Sequence, residues 1–273
     1  MRVIIDGAPV EDDAAFVSAF DWALLRGFGV FEVIRLYGSA PFRLHAHLDR
    51  LERSSAALGV ALPAREALTD WVGELAADHR DGCIRLILTG GGRDESAAAP
   101  PRTILIWEPN PTVPASLRLI PISAPWHPGT DYGGFPGVKW TSYAPNMAAT
   151  DKAHRAGFDD GLLIDKEGIV LEGPTFTVAW VHDGRIETPS LDLGILHSIT
   201  RVAVLECAER LELAVSEGHY PLDRLLQADE ALALSTMKQV LPIEQVGEIR
   251  IPLGPATRKI AECFAEIVES ETG

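Results

Sequence analysis

The alternation of apolar and polar positions breaks this chain into short segments that mix strand and helix signals. Val3 to Ile5, followed by Asp6-Gly7, reads as a brief strand and turn, and Gly29 to Tyr37 as a longer strand closed by Gly38. From Arg43 to Leu58 the apolar residues Leu44, Leu48, Leu51 and Leu58 recur at helical spacing, and Gly59 ends the helix. Leu68, Trp71, Val72 and Leu75 mark a second helix over 65–79. Two β-rich runs follow, Cys83 to Thr89 and Thr103 to Trp107.

The segment 108–114 carries prolines at 109, 111 and 114, which suits an extended linker. The expected organisation is therefore a small lobe over 1–107 and a larger lobe over 115–273, the latter containing Lys139. In the larger lobe, strands are predicted over 116–122, 161–164, 169–171, 176–181 and 231–234. Helices are predicted over 146–156, from Ser198 to about Leu211, and over 256–269. Strands and helices do not alternate regularly, so the pattern predicts an α+β fold rather than a doubly wound sheet.

Composition narrows the function. At 273 residues, two lobes are a natural division. The net charge of −15 argues against a nucleic-acid partner, because phosphate-backbone binding needs a basic face. The amino terminus turns acidic where a signal peptide would stay apolar, and there is no apolar run of about eighteen residues. A cytoplasmic protein without membrane attachment is expected. Cys83, Cys207 and Cys263 are widely spaced, which suits a reducing compartment and no disulfide framework. No metal enters this reading.

Candidate chemistry lies with the five lysines. An amine attacks a carbonyl only when neutral, which requires burial or a neighbouring positive charge. Lys152, Lys166 and Lys259 stand among charged residues and read as solvated, while Lys238 follows Ser235-Thr236 and stays open. Lys139, between Gly137-Val138 and Trp140, has only Asp131 as a charged residue within ten positions. Its isolation fits either a reactive amine or a surface lysine lying along apolar neighbours.

Five blocks tip the balance. Gly29-Val-Phe-Glu-Val-Ile-Arg-Leu-Tyr37 with His47-Leu-Asp-Arg-Leu51, then Lys139-Trp-Thr-Ser-Tyr-Ala-Pro-Asn146, Leu171-Glu-Gly-Pro-Thr-Phe176, Gly194-Ile-Leu-His-Ser-Ile-Thr-Arg201, and Ala228-Asp-Glu with Ser235-Thr236 and Pro242 occur in order. This arrangement resembles the fold-type IV pyridoxal-phosphate enzymes, which include D-amino acid aminotransferases, branched-chain aminotransferases and aminodeoxychorismate lyases. The resemblance spans roughly Asp21 to Ile243.

It implies a two-domain α+β fold, pyridoxal 5'-phosphate as cofactor, and Lys139 as the Schiff-base lysine. It also implies Glu172 facing the pyridine nitrogen, Leu196 packed on the ring, and Arg50 as the positive charge on the phosphate. Ile199 and Thr200 would add N–H groups at a helix start, and Thr236 a hydroxyl. A homodimer is implied as well.

The substrate is read from Phe31, Val33 and Arg93. Branched-chain enzymes usually carry glycine where Val33 stands, and Val30-Phe-Glu-Val-Ile-Arg35 looks closer to D-amino acid aminotransferases. The Thr89–Glu95 loop is shorter than theirs, with Arg93 either holding the substrate carboxylate or solvated. The expected reaction is transfer from a D-amino acid, or an (R)-amine, to a 2-oxo acid. Pyruvate elimination from aminodeoxychorismate and transfer from branched-chain L-amino acids are the alternatives.

Overall fold

The computed structural model describes residues 2–92, 99–127 and 135–273. The chain divides into two compact units. The first contains 1–111, 138–143 and 268–273, and the second contains 112–137 and 144–267. The architecture is mixed α/β, with one sheet in each unit.

In the first unit the elements run β1 (Val3–Ile5), β2 (Ala8–Val10), α1 (Trp22–Arg26), β3 (Gly29–Tyr37), β4 (Ala40–Pro41), α2 (Leu44–Leu58), α3 (Arg65–Ala77), β5 (Asp81–Thr89) and β6 (Thr103–Glu108). The sheet is antiparallel throughout, in the order β2-β1-β6-β5-β3-β4. Period-two geometry sends Val30, Ile34 and Leu36 to one face of β3. There they join Leu48 and Leu51 of α2 and Leu68, Val72 and Leu75 of α3 in a closed core. Burying each such side chain contributes roughly 1.5–3 kcal/mol. Gly59 caps α2 in the left-handed region at φ 66°, where its missing Cβ avoids strain.

The second unit contains β7 (Leu117–Ser123), α4 (Ala144–Arg155), β8 (Asp160–Ile164), β9 (Thr177–His182), β10 (Arg185–Pro189), α5 (Ile199–Arg210), β11 (Val215–Gly218), α6 (Leu222–Leu226), β12 (Glu230–Ser235), β13 (Gln239–Val246), β14 (Ile249–Arg250) and most of α7 (Pro255–Thr272). Its sheet is mixed, in the order β11-β10-β9-β12-β13-β7-β8, with β14 added beside β13. Leu119, Leu162, Val178, Trp180 and Ile243 are among its core residues.

One local expectation changes, and one strand enters that the sequence reading left out. The run 169–171 forms only single bridges, Ile164 to Val170 and Ile169 to Pro221, instead of a strand. In contrast β13 forms through Pro242, which faces Leu232 at a register followed by an irregularity at 243–245. The sequence reading groups Lys139 with the larger lobe, whereas here 138–143 packs with the first unit. The cause is backbone pairing: Phe31 N–H donates to Lys139 O at 2.9 Å, and Thr141 N–H donates to Gly29 O at 2.8 Å. Among the described residues no helix is long and apolar enough to cross a membrane.

Candidate active site

In the first unit the chemistry centres on β3. Val30 pairs with Trp140, so Lys139 stands opposite Phe31 and their side chains share a face. Gly29 permits this approach, because a Cβ there would meet Leu88 O at 2.7 Å and the Thr141 side chain beyond it. Lys139 N–H also donates to Ser54 Oγ at 3.2 Å. The Lys139 amine lies 4.5 Å from the Phe31 ring centroid and 5.7 Å from that of Tyr143. Those two rings meet edge to face at 5.3 Å. Both rings lie within cation–π reach of the amine and confine it from two sides.

The same half-buried face of β3 carries Val33, whose register partner is Arg85 of β5. The Arg85 guanidinium is 5.9 Å from the Phe31 ring and is held by Glu108 at 2.7 Å. Arg85 places a second cation near the Phe31 ring and was missed by sequence reasoning. Only the β3–β5 register reveals it. Burial and Glu108 push the nearby Cys83 thiol up to about 11, so it offers no thiolate at neutral pH.

The opposite face of β3 holds a carboxylate in the core. Glu32 is fully buried, and α2 supplies its partners. Arg50 Nε and Nη2 donate to Glu32 Oε1 and Oε2 at 2.7 and 2.6 Å, and His47 Nδ1 lies 2.8 Å from Oε2. Three-residue spacing puts His47 and Arg50 on one helix face. Burial alone would raise the Glu32 carboxyl, but the Arg50 charge and hydrogen bonds, with His47, bring it down to about 2. Burial lowers His47 despite its bond to Glu32, with the Arg50 and Lys139 charges adding to the effect. Arg50, expected on a phosphate, thus has a bidentate carboxylate partner inside its own unit.

In the second unit Glu172 is the focus. Its backbone is fixed by Leu163 N–H donating to Glu172 O at 2.8 Å. Gly173 follows, where any Cβ would strike the Phe176 ring. The carboxylate accepts Leu196 N–H on Oε2 at 3.2 Å and contacts His127 Nε2 through Oε1 at 3.0 Å. Each oxygen therefore keeps a lone-pair direction for another donor. His127 is a second residue the sequence did not reveal, since it lies 45 positions from Glu172.

Ile199 and Thr200 open α5, whose N-cap Ser198 Oγ accepts Arg201 N–H. The two preceding first-turn N–H groups have no acceptor inside the helix. Thr236 lies in the turn between β12 and β13. Lys238, in the same turn, donates to Thr175 Oγ1 at 3.2 Å and lies over the Phe176 ring, with burial lowering its amine. Arg93 lies outside the described residues.

These groups suit the cofactor implied by the sequence resemblance. A confined amine, a carboxylate with lone pairs to spare and an uncapped pair of helix N–H groups match an aldehyde, a pyridine nitrogen and a phosphate.

Comparison with known proteins places the chemistry in context. The family model for class IV amino-transferases matches residues 29–246. A putative branched-chain-amino-acid aminotransferase of Methanocaldococcus jannaschii is 32% identical over 279 residues, covering 98% of this chain and 96% of that protein. The aminodeoxychorismate lyase of Bacillus subtilis is 31% identical over 261 residues, covering 90% of this chain and 87% of that protein. A D-alanine aminotransferase of Listeria monocytogenes is 27% identical over 290 residues, covering 100% and 98%. Among solved structures, the branched-chain aminotransferase of Thermoproteus uzoniensis with norvaline superposes at a TM-score of 0.90. It is 29% identical and covers 99% of this chain and 95% of that one.

Proposed function

The chain belongs to the class IV amino-transferase family, whose members use pyridoxal phosphate, and on that premise we propose that it moves an amino group from an amino acid to a 2-oxo acid. The observation that carries this reading is the Lys139 amine, confined against Phe31 and Tyr143 by strand pairing to β3. When bound, pyridoxal phosphate supplies a carbonyl for a lysine amine and a ring that takes up the electron pair left at the donor's Cα.

In this proposal Lys139 would hold the cofactor through Nζ, and the same amine would carry the proton taken from the donor's Cα. Glu172 accepts the pyridine N–H, so that its negative charge holds the proton there. Ile199 and Thr200 N–H groups and the Thr200 and Thr236 hydroxyls hold the phosphate, with the helix end favouring its charge. Arg50 contributes positive charge to the phosphate while serving as the partner of Glu32. Leu196 packs on the ring, and Phe31, Val33 and Arg93 shape the donor's environment.

For the donor, we infer a D-amino acid, with (R)-amines as slow alternatives. Val33 is the reason: its branched side chain fills the β3 face that also carries Phe31, where glycine would leave space. A second reading, transfer from branched-chain L-amino acids, is supported by the 32% identity to the archaeal relative and by the norvaline-bound structure of similar fold. A homodimer in the cytoplasm completes the proposal, and exposed Phe16, Phe20 and Leu24 in the first unit provide apolar surface for it.

Rapid mixing of the cofactor-loaded protein with single donors tests this. Fast spectral conversion by D-alanine with slow conversion by L-leucine is expected. The reverse order establishes the second reading. Pyruvate release from aminodeoxychorismate without conversion by any amino acid overturns transamination.

A further inference from the structure

We propose that His127 is a positioning residue that aims the Glu172 carboxylate at the cofactor's pyridine nitrogen, an inference resting on the role given to Glu172 above. His127 and Glu172 are both largely withdrawn from solvent, with side chains 7% and 14% exposed. Their 3.0 Å contact fixes the protonation pattern of the ring. An unprotonated Nε2 would set its lone pair against a carboxylate oxygen, so Nε2 carries the hydrogen and donates to Oε1. The other ring nitrogen, Nδ1, is buried and has no partner among the described residues.

Two donors on two different oxygens do what neither does alone. Leu196 N–H anchors Oε2 and His127 anchors Oε1, so rotation of the carboxylate plane is blocked. The unused lone pairs then keep one direction. His127 is itself held by its N–H donating to Ala124 O at 3.0 Å, and Ala124 N–H donates to Ile164 O at the end of β8. Its neighbour Trp126 braces the same loop by a separate route. Trp126 Nε1 donates to Asn146 Oδ1 at 3.2 Å, and Asn146 Nδ2 donates to Pro174 O at 3.0 Å. Residues 126 and 127 together fix both the carboxylate and the turn that follows it. Loss of one charge-assisted donor is expected to weaken cofactor binding roughly ten-fold.

The test uses apoprotein reloaded with pyridoxal phosphate labelled with nitrogen-15 in the ring. It reads the cofactor dissociation constant and the ring-nitrogen resonance, which reports protonation, neither requiring turnover. His127→Ala is expected to bind the cofactor about ten-fold more weakly, with the resonance displaced from the protonated position toward that of Glu172→Gln. His127→Phe, which fills the volume without a donor, should match His127→Ala. His127→Gln, whose amide can donate, should recover most of both readouts.

Wild-type affinity and resonance in His127→Ala or His127→Phe, while Glu172→Gln is displaced, show that His127 only fills space and overturn the inference alone. A wild-type resonance in Glu172→Gln itself overturns the role of Glu172 and, with it, this inference.

Discussion

Two carboxylates of this chain, Glu32 and Glu172, are both drawn out of solvent and both contact a histidine, yet the fold treats them differently. Glu32 projects into the core of the first unit and is saturated by a bidentate arginine and His47. Glu172 accepts from one histidine and one backbone N–H, and keeps lone pairs on both oxygens. The first is a charge consumed by folding, because an isolated carboxylate in the core is prohibitively costly. The second is held in place while remaining able to receive one more donor. A residue's chemical availability is therefore set by how many of its hydrogen-bonding directions the fold has already taken.

That contrast predicts opposite mutational signatures. The largest effect falls on the core cluster: Glu32→Ala removes the bidentate carboxylate partner of the buried Arg50 and should cost about 3–5 kcal/mol of stability in urea unfolding. Arg50→Ala should be comparably destabilising, since the buried Glu32 keeps only its His47 contact, so its cofactor affinity must be compared at matched folded fractions. A loss below about 1 kcal/mol in either variant would place the cluster in contact with water.

Acid should find the same weakness. Folded-state Glu32 lies near 2 against an ordinary 4.5, so its contribution is complete above 4.5 and lost as pH falls toward 2. It amounts to something on the order of 3 kcal/mol. His47 is also lowered from 6.5, so the unfolded chain takes up its proton first and stability declines as pH drops below that value. Unfolding free energies measured from pH 7 to pH 3 should therefore fall steadily. In Glu32→Gln the lower part of that decline should vanish, and its persistence would assign it to other carboxylates.

Glu172→Gln should invert the signature, keeping the melting temperature within a few degrees but lowering kcat on the order of a hundredfold. A large stability loss with an unchanged rate would turn Glu172 into a second Glu32. The smallest effect is on the β3 face beside Lys139, where Val33→Gly should shift the D-alanine to L-leucine preference by about ten-fold, the usual worth of one or two methyl groups in a pocket.

Much of this was legible in the sequence where the signal is local. The α2 period, its Gly59 stop and the Ser198 N-cap all depend on neighbours within one or two turns, and the structure has them within a residue or two. The shared face of His47 and Arg50 was equally readable. Their partner was not, because β3 carries apolar residues on both faces, with Phe31 and Val33 on one and Val30 and Ile34 on the other. Parity puts Glu32 with Val30 and Ile34, but nothing in that run says which face α2 covers. The pairing of 139–141 with β3, the Arg85 neighbour of Val33 and the His127 contact to Glu172 all join distant segments, and periodicity carries no information about them. The sequence reading left β13 out altogether, and the structure pairs Pro242 within it with Leu232 of β12.

Among the five lysines, we propose Lys139 as the one that carries the cofactor. Borohydride reduction of the cofactor-loaded protein, followed by proteolysis and mass mapping, tests it directly. The phosphopyridoxyl mass should appear on the peptide containing Lys139 alone and disappear in Lys139→Ala. Recovery of that mass on Lys238, whose amine burial lowers, or on any other lysine would contradict this assignment.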